Sequence, residues 1–256
     1  MPGRRLFCLG GAAALCGCAL VDDEHAAGRE AAEAEIGRLP PPPRRAISGH
    51  EAVAALRRIS SRLEGPARTV CTEIGAAVCD WHVEGSRDRQ ANAFATGGGR
   101  IVVHRGVIEA ARNDEEVAFV VAHEMAHQAA NHVAEARQYR QVGAAAGAMA
   151  LGVLGLAGVA AGLPPSFAVR NLETGAALGA RIGRIAFSQE QEREADYLAA
   201  LILHRAGYDL GLARGFLVTM GRISSRTETA LFDTHPAGPE RLAAFDETVL
   251  RIRGIG

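Results

Sequence analysis

His123-Glu124-Met125-Ala126-His127 lies in a segment with helical spacing of apolar residues that opens at Asn113. In a helix, positions i and i+4 lie one above the other, so both imidazoles can bind one Zn²⁺ ion without backbone strain. Glu124 can reach a water at an open position of that ion and act as general base, and the ion lowers the pKa of that water to about 7. The pentapeptide therefore predicts a hydrolytic zinc site on a helix extending to about Arg140, although two solvated histidines would give the same pattern.

Zinc needs a third protein ligand, and His132 has the wrong spacing for one. The three-histidine pattern requires a glycine three residues after His127 and a histidine six residues after it. This chain has Ala130 and Val133 at those positions. We therefore expect His132 to be a surface group or a neighbour of a ligand.

Glu192 and Asp196 also stand at i and i+4, in a segment predicted to be helical from about Ser188 to Ala206. Glu192 can ligate zinc while Asp196 accepts a hydrogen bond from a ligand histidine and fixes its ring. Glu194 points about 160° away from Glu192, so both cannot ligate. Alone, this segment would be a solvated acidic face, and only the upstream histidines favour a metal site.

His235 follows the predicted ligand helix and precedes a proline. It could hydrogen-bond the oxyanion of a tetrahedral intermediate, or it could occupy the open zinc position as a plug. Arg241 could serve the same oxyanion. An ordinary loop histidine is the alternative.

A strand near the metal would bind an extended peptide through backbone hydrogen bonds. Gly97-Gly98-Gly99 predicts a turn, and Ile101 to His104 predicts a strand after a shorter candidate at 81–84. We expect the strand from residue 100 to be exposed. The residues predicted to line the substrate are Asn92, Gly98, Ile101 and Val103.

The first residues have the pattern of an export signal. Two arginines precede an apolar segment at 6–15 that is too short to span a bilayer. Leu15-Cys16-Gly17-Cys18 matches a lipobox that would lipidate Cys18, although Cys16 departs from the usual residue. Ala19 in place of Asp favours an outer-membrane lipoprotein facing the periplasm, and a plain cleaved signal is the alternative. The predicted organisation is a signal peptide at 1–17, a tether at 18–45 ending in four prolines, and a peptidase domain at 46–256.

Export places Cys71 and Cys79 in an oxidising compartment, which favours a disulfide over two buried thiols. Gly65-Pro66 predicts the end of a helix that starts after Ser48. Residues 142–163 carry no charge but consist mainly of small side chains. We expect a helical hairpin or loop packed on the domain, with membrane insertion as the alternative.

Several segments together resemble the M48 peptidase family, which includes the Oma1-like, Ste24-like and HtpX-like peptidases. The matching segments are residues 92–96, 97–106, 115–127, 189–196 and 235–241. The resemblance implies an α+β, predominantly helical, gluzincin-like domain with a small β-sheet whose edge strand flanks the active-site helix. It also implies one Zn²⁺ per chain held by His123, His127 and Glu192, with Asp196 beside them and His235 in the His-Pro motif.

The chain departs from the family where Gly97 stands in place of a common proline, and it lacks strong transmembrane helices. It is most similar to the short periplasmic lipoprotein branch. We expect an endopeptidase for misfolded or unassembled envelope proteins, attached to the membrane through Cys18. A zinc-containing chaperone that rarely cleaves is the alternative. The formal net charge of −1 gives no indication of a nucleic-acid partner.

Overall fold

The computed structural model describes residues 27–38, 40, 42–182, 187–224, 235 and 238–254. The helices are α1 (27–37), α2 (Gly49–Glu73), α3 (Arg105–Ala110), α4 (Asp114–Ala129), α5 (His132–Ala160), α6 (Pro165–Ile182), α7 (Gln189–Arg205), α8 (Leu210–Ala213), α9 (Gly215–Ser224) and α10 (Pro239–Arg253). The strands are β1 (His82–Ser86), β2 (Ala93–Ala95) and β3 (Arg100–His104). The fold is predominantly helical with one small sheet, as the sequence predicted. The signal peptide predicted at 1–17 and the lipidation site at Cys18 lie outside the described residues.

Helix α4 is the central element of the core. Asn113 caps it, because its side-chain oxygen accepts a hydrogen bond from the Glu116 amide at 2.9 Å. Helices α2 and α7 pack on α4, and nearly every α4 residue is buried. Phe119 meets Phe245 of α10 edge-on, with ring centroids 5.4 Å apart. The histidines of α4 are therefore held by a rigid support.

Helix α4 ends sooner than the sequence predicted. The break lies at Ala130 and Asn131, and Asn131 adopts a left-handed conformation with φ of 66°. Asparagine tolerates this region better than most residues, so the chain can change direction there and start α5. The apolar spacing continues across the break, which is why it suggested one helix reaching Arg140.

Helix α2 continues through Gly65-Pro66, so the predicted end of this helix is wrong. Proline removes one helical hydrogen bond, but Ala67, Val70 and Cys71 continue the buried face beyond it. Packing of this face outweighs the local cost of the proline. The structure joins Cys71, near the end of α2, to Cys79 by a disulfide.

The sheet has the order β1-β3-β2, with β1 parallel and β2 antiparallel to β3. β3 is therefore the central strand, and Ile101 and Val103 are fully buried within it. This corrects the expectation that the strand from residue 100 is exposed and that these two residues line the substrate. Strand β2 is the edge that contacts α4. An edge strand flanks the active-site helix as predicted, but it is a different strand.

Part of the predicted tether is a docked helix. On α1, Ala32 is buried and Ile36 packs against Gly221 of α9. Glu35 accepts two hydrogen bonds from Arg214 at 2.9 and 3.0 Å. Apolar positions at i and i+4 together with this ion pair hold residues 27–37 on the domain, so they are not an extended spacer.

Helices α5 and α6 form the hairpin that the sequence predicted, but the hairpin is not packed on the domain. The two helices contact each other extensively. Near the start of α5, His132 contacts His127 of α4 and Glu135 accepts a hydrogen bond from Gln191 of α7. Of α5, only His132, Val133, Gly152 and Gly155 are buried. In the described chain, α5 is the one helix that is long and apolar enough to cross a membrane.

Candidate active site

The two histidines of the pentapeptide meet Glu192 of α7 in the protein interior. His123 Nε2 and His127 Nε2 are 3.0 Å apart, one helical turn from each other on α4. Glu192 Oε2 lies 3.4 Å from His123 Nε2, and Glu192 Oε1 lies 3.3 Å from His127 Nε2. All three side chains are buried.

These separations match the ligand set of a zinc ion. Tetrahedral zinc with bonds of about 2.0–2.1 Å places its ligand atoms about 3.3 Å apart. Two imidazole nitrogens and the two oxygens of one carboxylate converge here at 3.0–3.4 Å, as a shared cation would require. The Nδ1 atom of His235 joins them, and the four ligand atoms lie within 4.8 Å of one another. The chain thus offers a buried site that could hold zinc, as the sequence predicted.

Asp196 and Arg241 surround the ligands with charge. Asp196 Oδ1 lies 2.9 Å from His123 Nδ1, on the side of the ring that faces away from the ligand cluster. Arg241 donates to both Asp196 oxygens at 2.9 and 2.8 Å, and its Nη1 lies 2.5 Å from Glu192 Oε2. Its guanidinium therefore joins the two carboxylates of α7, and this geometry favours a positioning role over the predicted contact with an oxyanion.

The charges of this cluster set its protonation. Burial opposes ionisation of Glu192 and Asp196, but the charge of Arg241 and their contacts with His123 hold the pKa of each carboxyl below its usual value. Burial also acts to lower the pKa of His123, but its hydrogen bonds with Asp196 and Glu192 outweigh burial and raise this pKa to about 9. Burial and the nearby charge of His123 lower the pKa of His127. The protein's own groups therefore keep both carboxylates ionised, as a cation site requires.

Glu124 is buried beside the ligand cluster. Its Oε2 has no hydrogen-bond partner among the described residues, and its Oε1 lies 3.4 Å from His235 Nε2. An unpartnered buried carboxylate oxygen costs stability, and such groups are retained where they do chemistry. His235 lies between this carboxylate and the ligands, with its Nδ1 2.9 Å from Glu192 Oε1 and 3.3 Å from His123 Nε2.

His132 is more closely tied to the site than its spacing suggested. It is buried, and its Nδ1 lies 3.0 Å from Nδ1 of His127. Its Nε2 lies 3.4 Å from Glu194. If His127 binds metal through Nε2, its Nδ1 carries the proton and donates it to His132. The signal in the sequence was Asn131, whose left-handed conformation turns His132 back towards His127.

Phe187 was missed altogether by the sequence analysis. Its ring stacks on His127, with centroids 3.9 Å apart and planes 25° apart. It stands immediately before Ser188, which caps α7 and forms a capping box with Gln191. An apolar residue directly before an N-cap commonly packs against the start of the structure that follows, and this was the available signal.

We predict that His132→Ala lowers zinc affinity by about 10–100-fold, the usual cost of removing a hydrogen-bond partner from a ligand histidine. His132→Asn should restore most of the affinity, because its amide oxygen takes the place of Nδ1 and can accept the same proton. Competition with a chromophoric zinc chelator measures both variants. Unchanged affinity in His132→Ala would show that this contact does not orient His127.

The fold and the site together define a zinc metallopeptidase: two histidines at i and i+4 with a glutamate between them, and a carboxylate ligand from a second helix. Residues 57–249 match the family model described as Peptidase family M48, so the chain belongs to that family of zinc-dependent metallopeptidases. Metalloendopeptidases, the class of enzyme that the sequence predicted, are among the members of this family.

Curated relatives agree with this assignment. The chain is 34% identical over 160 residues to the Beta-barrel assembly-enhancing protease of Escherichia coli K12, covering 60% of this chain and 31% of the relative. It is 30% identical over 161 residues to the Mitochondrial metalloendopeptidase OMA1 of Arabidopsis thaliana, covering 63% and 30%. It is 34% identical over 154 residues to the Metalloprotease LoiP of Escherichia coli K12, covering 60% and 56%. The aligned part spans about a third of the length of the first two relatives.

Proposed function

We propose that this chain hydrolyses peptide bonds of misfolded or unassembled cell-envelope proteins, with Glu124 as the general base. The observation that carries the proposal is the buried Glu124 carboxylate. One of its oxygens has no partner among the described residues, and the other lies 3.4 Å from His235, a member of the cluster of possible ligands. Zinc bound there would polarise the scissile carbonyl and make a water at the open position more acidic.

The residues of the chain do the remaining work. Glu124 takes a proton from the attacking water and later gives it to the leaving amine, so the carboxylate is regenerated at the end of the cycle. Asp196 holds the His123 ring, and Arg241 keeps Glu192 and Asp196 ionised. Each of these side chains is buried, so the reaction takes place where bulk water screens charges weakly.

The outer edge of β2 supplies the binding surface for an extended substrate. Asn92 O accepts from His104 N, and Thr96 N donates to Arg100 O, so residues 92, 94 and 96 face β3. Alternation along an antiparallel strand then directs the N–H and C=O groups of Ala93 and Ala95 outward. No described strand pairs with that edge. Backbone pairing suits unfolded chains of varied sequence, because the hydrogen bonds form with the main chain and do not depend on the side chains.

We predict that Ala95→Pro lowers kcat/KM for extended peptides by about tenfold, because it removes one outward N–H whose hydrogen bond is worth about 1 kcal/mol and adds a ring at the edge. The pairing of β2 with β3 should survive, since proline is tolerated where the N–H faces solvent. Ala95→Val, which keeps the N–H, is the matched control. Peptide assays with thermal unfolding measure both; equal rates for Pro and Val would remove β2 from the binding surface.

The substrate class and the location rest on two supports. The chain opens with the pattern of a lipoprotein signal ending at Cys18, and one relative is named for assembly of β-barrels. Both favour an outer-membrane lipoprotein that acts on unassembled envelope proteins in the periplasm. Mass spectrometry of the mature N-terminus tests the anchor, which requires an acylated Cys18.

The alternative function is a zinc-containing chaperone or assembly factor for outer-membrane proteins. The observation that favours it is the position of His235, whose Nδ1 lies within the ligand cluster. A histidine held there would fill the open position at which water must bind. This position also fits a peptidase that is latent until His235 moves away.

We predict that His235→Ala raises the basal rate of casein cleavage, because it opens the fourth position. His82→Ala, which removes an exposed histidine of β1, should leave the rate unchanged. A fall in rate would indicate that His235 contacts the oxyanion of the substrate instead. If the zinc-loaded wild type and His235→Ala both bind unfolded casein and neither cleaves it, the chaperone function is correct.

A further inference from the structure

The hairpin of α5 and α6 ends in a segment without charge, residues 153–169, which we call the hairpin tip. Within residues 140–160 of α5, only Gly152 and Gly155 are buried. The large apolar side chains exposed at the tip are Val153, Leu154, Leu156, Leu163 and Val169, which are 44–66% exposed. An exposed apolar cluster of this size marks a surface that binds a protein or a membrane.

The packing inside the hairpin shows which kind of partner fits. A Cβ atom on Gly155 would come within 2.8 Å of Ala168 Cα, and one on Gly175 would come within 2.1 Å of Gly147 O. Gly158 has the ring of Phe167 against it in the same way. The two helices therefore meet through glycines, while leucines and valines point outward.

Glycines between the helices and large apolar side chains on the outside are the opposite of the packing that is stable in water. In water, two helices associate by burying their large apolar side chains, because this removes the most apolar surface from solvent. In lipid there is no such drive, and helices associate through small residues that allow close backbone contact. The hairpin is therefore built for a hydrocarbon environment on its outside, and a hydrophobic groove in a soluble partner would not require glycines between the two helices.

The charges around the tip indicate the surface that it meets. The first charged residue after the tip on α6 is Arg170, and the first before it on α5 is Arg140. No acidic residue lies between Glu135 and Glu173. Arg170 directly follows the tip, whereas Arg140 lies 13 residues before it, and a basic residue next to an apolar segment complements anionic lipid headgroups.

The position of Arg170 also limits the depth of insertion. It follows five residues after the start of α6, which is about 8 Å of helix at about 1.5 Å per residue. Interfacial segments insert to about 5–10 Å, whereas a complete span needs about 30 Å. The tip therefore matches shallow insertion into one leaflet and does not match a transmembrane hairpin.

We propose that the hairpin tip, residues 153–169, inserts into one leaflet of an anionic membrane, with Arg170 at the level of the headgroups. This contact is independent of acylation at Cys18 and of the peptidase activity. It would hold the domain at the membrane surface at a second point, in addition to any N-terminal anchor.

Tryptophan placed at the tip tests the proposal in the full chain. Leu156→Trp and the control Leu250→Trp, on the exposed face of α10, are each mixed with vesicles of phosphatidylcholine and phosphatidylglycerol that carry brominated acyl chains. The emission of Trp81 is subtracted by using the parent protein. We expect bromines near the headgroup end of the chains to remove most of the emission added by Leu156→Trp and none of that added by Leu250→Trp.

The charge is tested in the same assay. Arg170→Glu, combined with Leu156→Trp, should reduce the quenching, whereas Arg57→Glu on the exposed face of α2 should not. Vesicles of phosphatidylcholine alone should quench less than anionic vesicles.

Three results would overturn the proposal. The first is no quenching of Leu156→Trp, whether or not the chain floats with the vesicles. The second is strongest quenching by bromines at the methyl end of the chains, which would indicate a span. The third is a concentration-dependent dimer that protects Leu156→Trp from an aqueous quencher while lipid bromines have no effect, which would make a second copy of this chain the occupant.

Discussion

Glu124→Gln should lower the rate of casein cleavage by about 10²–10⁴-fold, the range that a positioned general base contributes. The amide has the same shape as the carboxylate but cannot take a proton from water. Zinc content should be unchanged, because Glu124 is not one of the four residues whose ligand atoms converge.

The fold of Glu124→Gln should also be unchanged. The carboxylate is buried and one of its oxygens has no hydrogen-bond partner among the described residues, so removing its charge costs little. Glu115→Gln, at the N-terminal end of the same helix, is the matched control and should cleave at the wild-type rate. Cleavage by Glu124→Gln within a few-fold of wild type, with zinc bound, would mean that another group acts as the base.

The second large effect is expected from Arg241→Leu, which should lower the free energy of unfolding by about 3–5 kcal/mol. Arg241 is buried and contacts Glu192 and Asp196, so its removal leaves two buried carboxylates without the cation that holds their pKa values low. Bound zinc would supply positive charge to Glu192 directly and to Asp196 through His123. The loss should therefore be greater with a chelator than with zinc.

Urea unfolding with and without zinc measures this effect. Arg251→Leu on the same helix is the control, because its pair with Glu247 is exposed and such pairs contribute about 0.3–0.5 kcal/mol. Arg241→Lys should recover only part of the stability, since a single ammonium cannot match the fork that the guanidinium presents to Asp196. Equal unfolding free energies for the two leucine variants would contradict the role given to Arg241.

The residues of the site could be predicted because helical spacing is local. His123 with His127 and Glu192 with Asp196 are each one turn apart, so each pair shares a face whatever the rest of the chain does. The chemistry of zinc then requires the two pairs to meet. The structure shows that the two pairs do meet, with Glu192 within 3.4 Å of both histidines.

The strand order could not be predicted from the sequence. Alternation of apolar residues showed that a strand runs to His104, but it does not show which strands lie beside it. The parallel pairing of β1 with β3 buries Ile101 and Val103 and leaves β2 as the edge beside α4. The prediction that β3 binds the substrate was therefore wrong, because the free edge beside α4 belongs to its neighbour β2.

Two other differences have the same origin in long-range packing. Pro66 was expected to end α2, but the buried face that continues to Cys71 keeps the helix intact. Residues 27–37 were expected to be part of a spacer, but the partners that fix them, Arg214 and Gly221, lie far along the chain. Neither partner is visible from the local sequence.

The most direct test of the zinc peptidase assignment is casein cleavage by the full chain before and after complete removal of metal, with zinc content measured in parallel. We predict one zinc ion per chain, loss of cleavage on chelation, and recovery when one equivalent of zinc is returned. Cleavage that continues in zinc-free protein, or no cleavage by wild type and His235→Ala when both hold one zinc per chain, would contradict it.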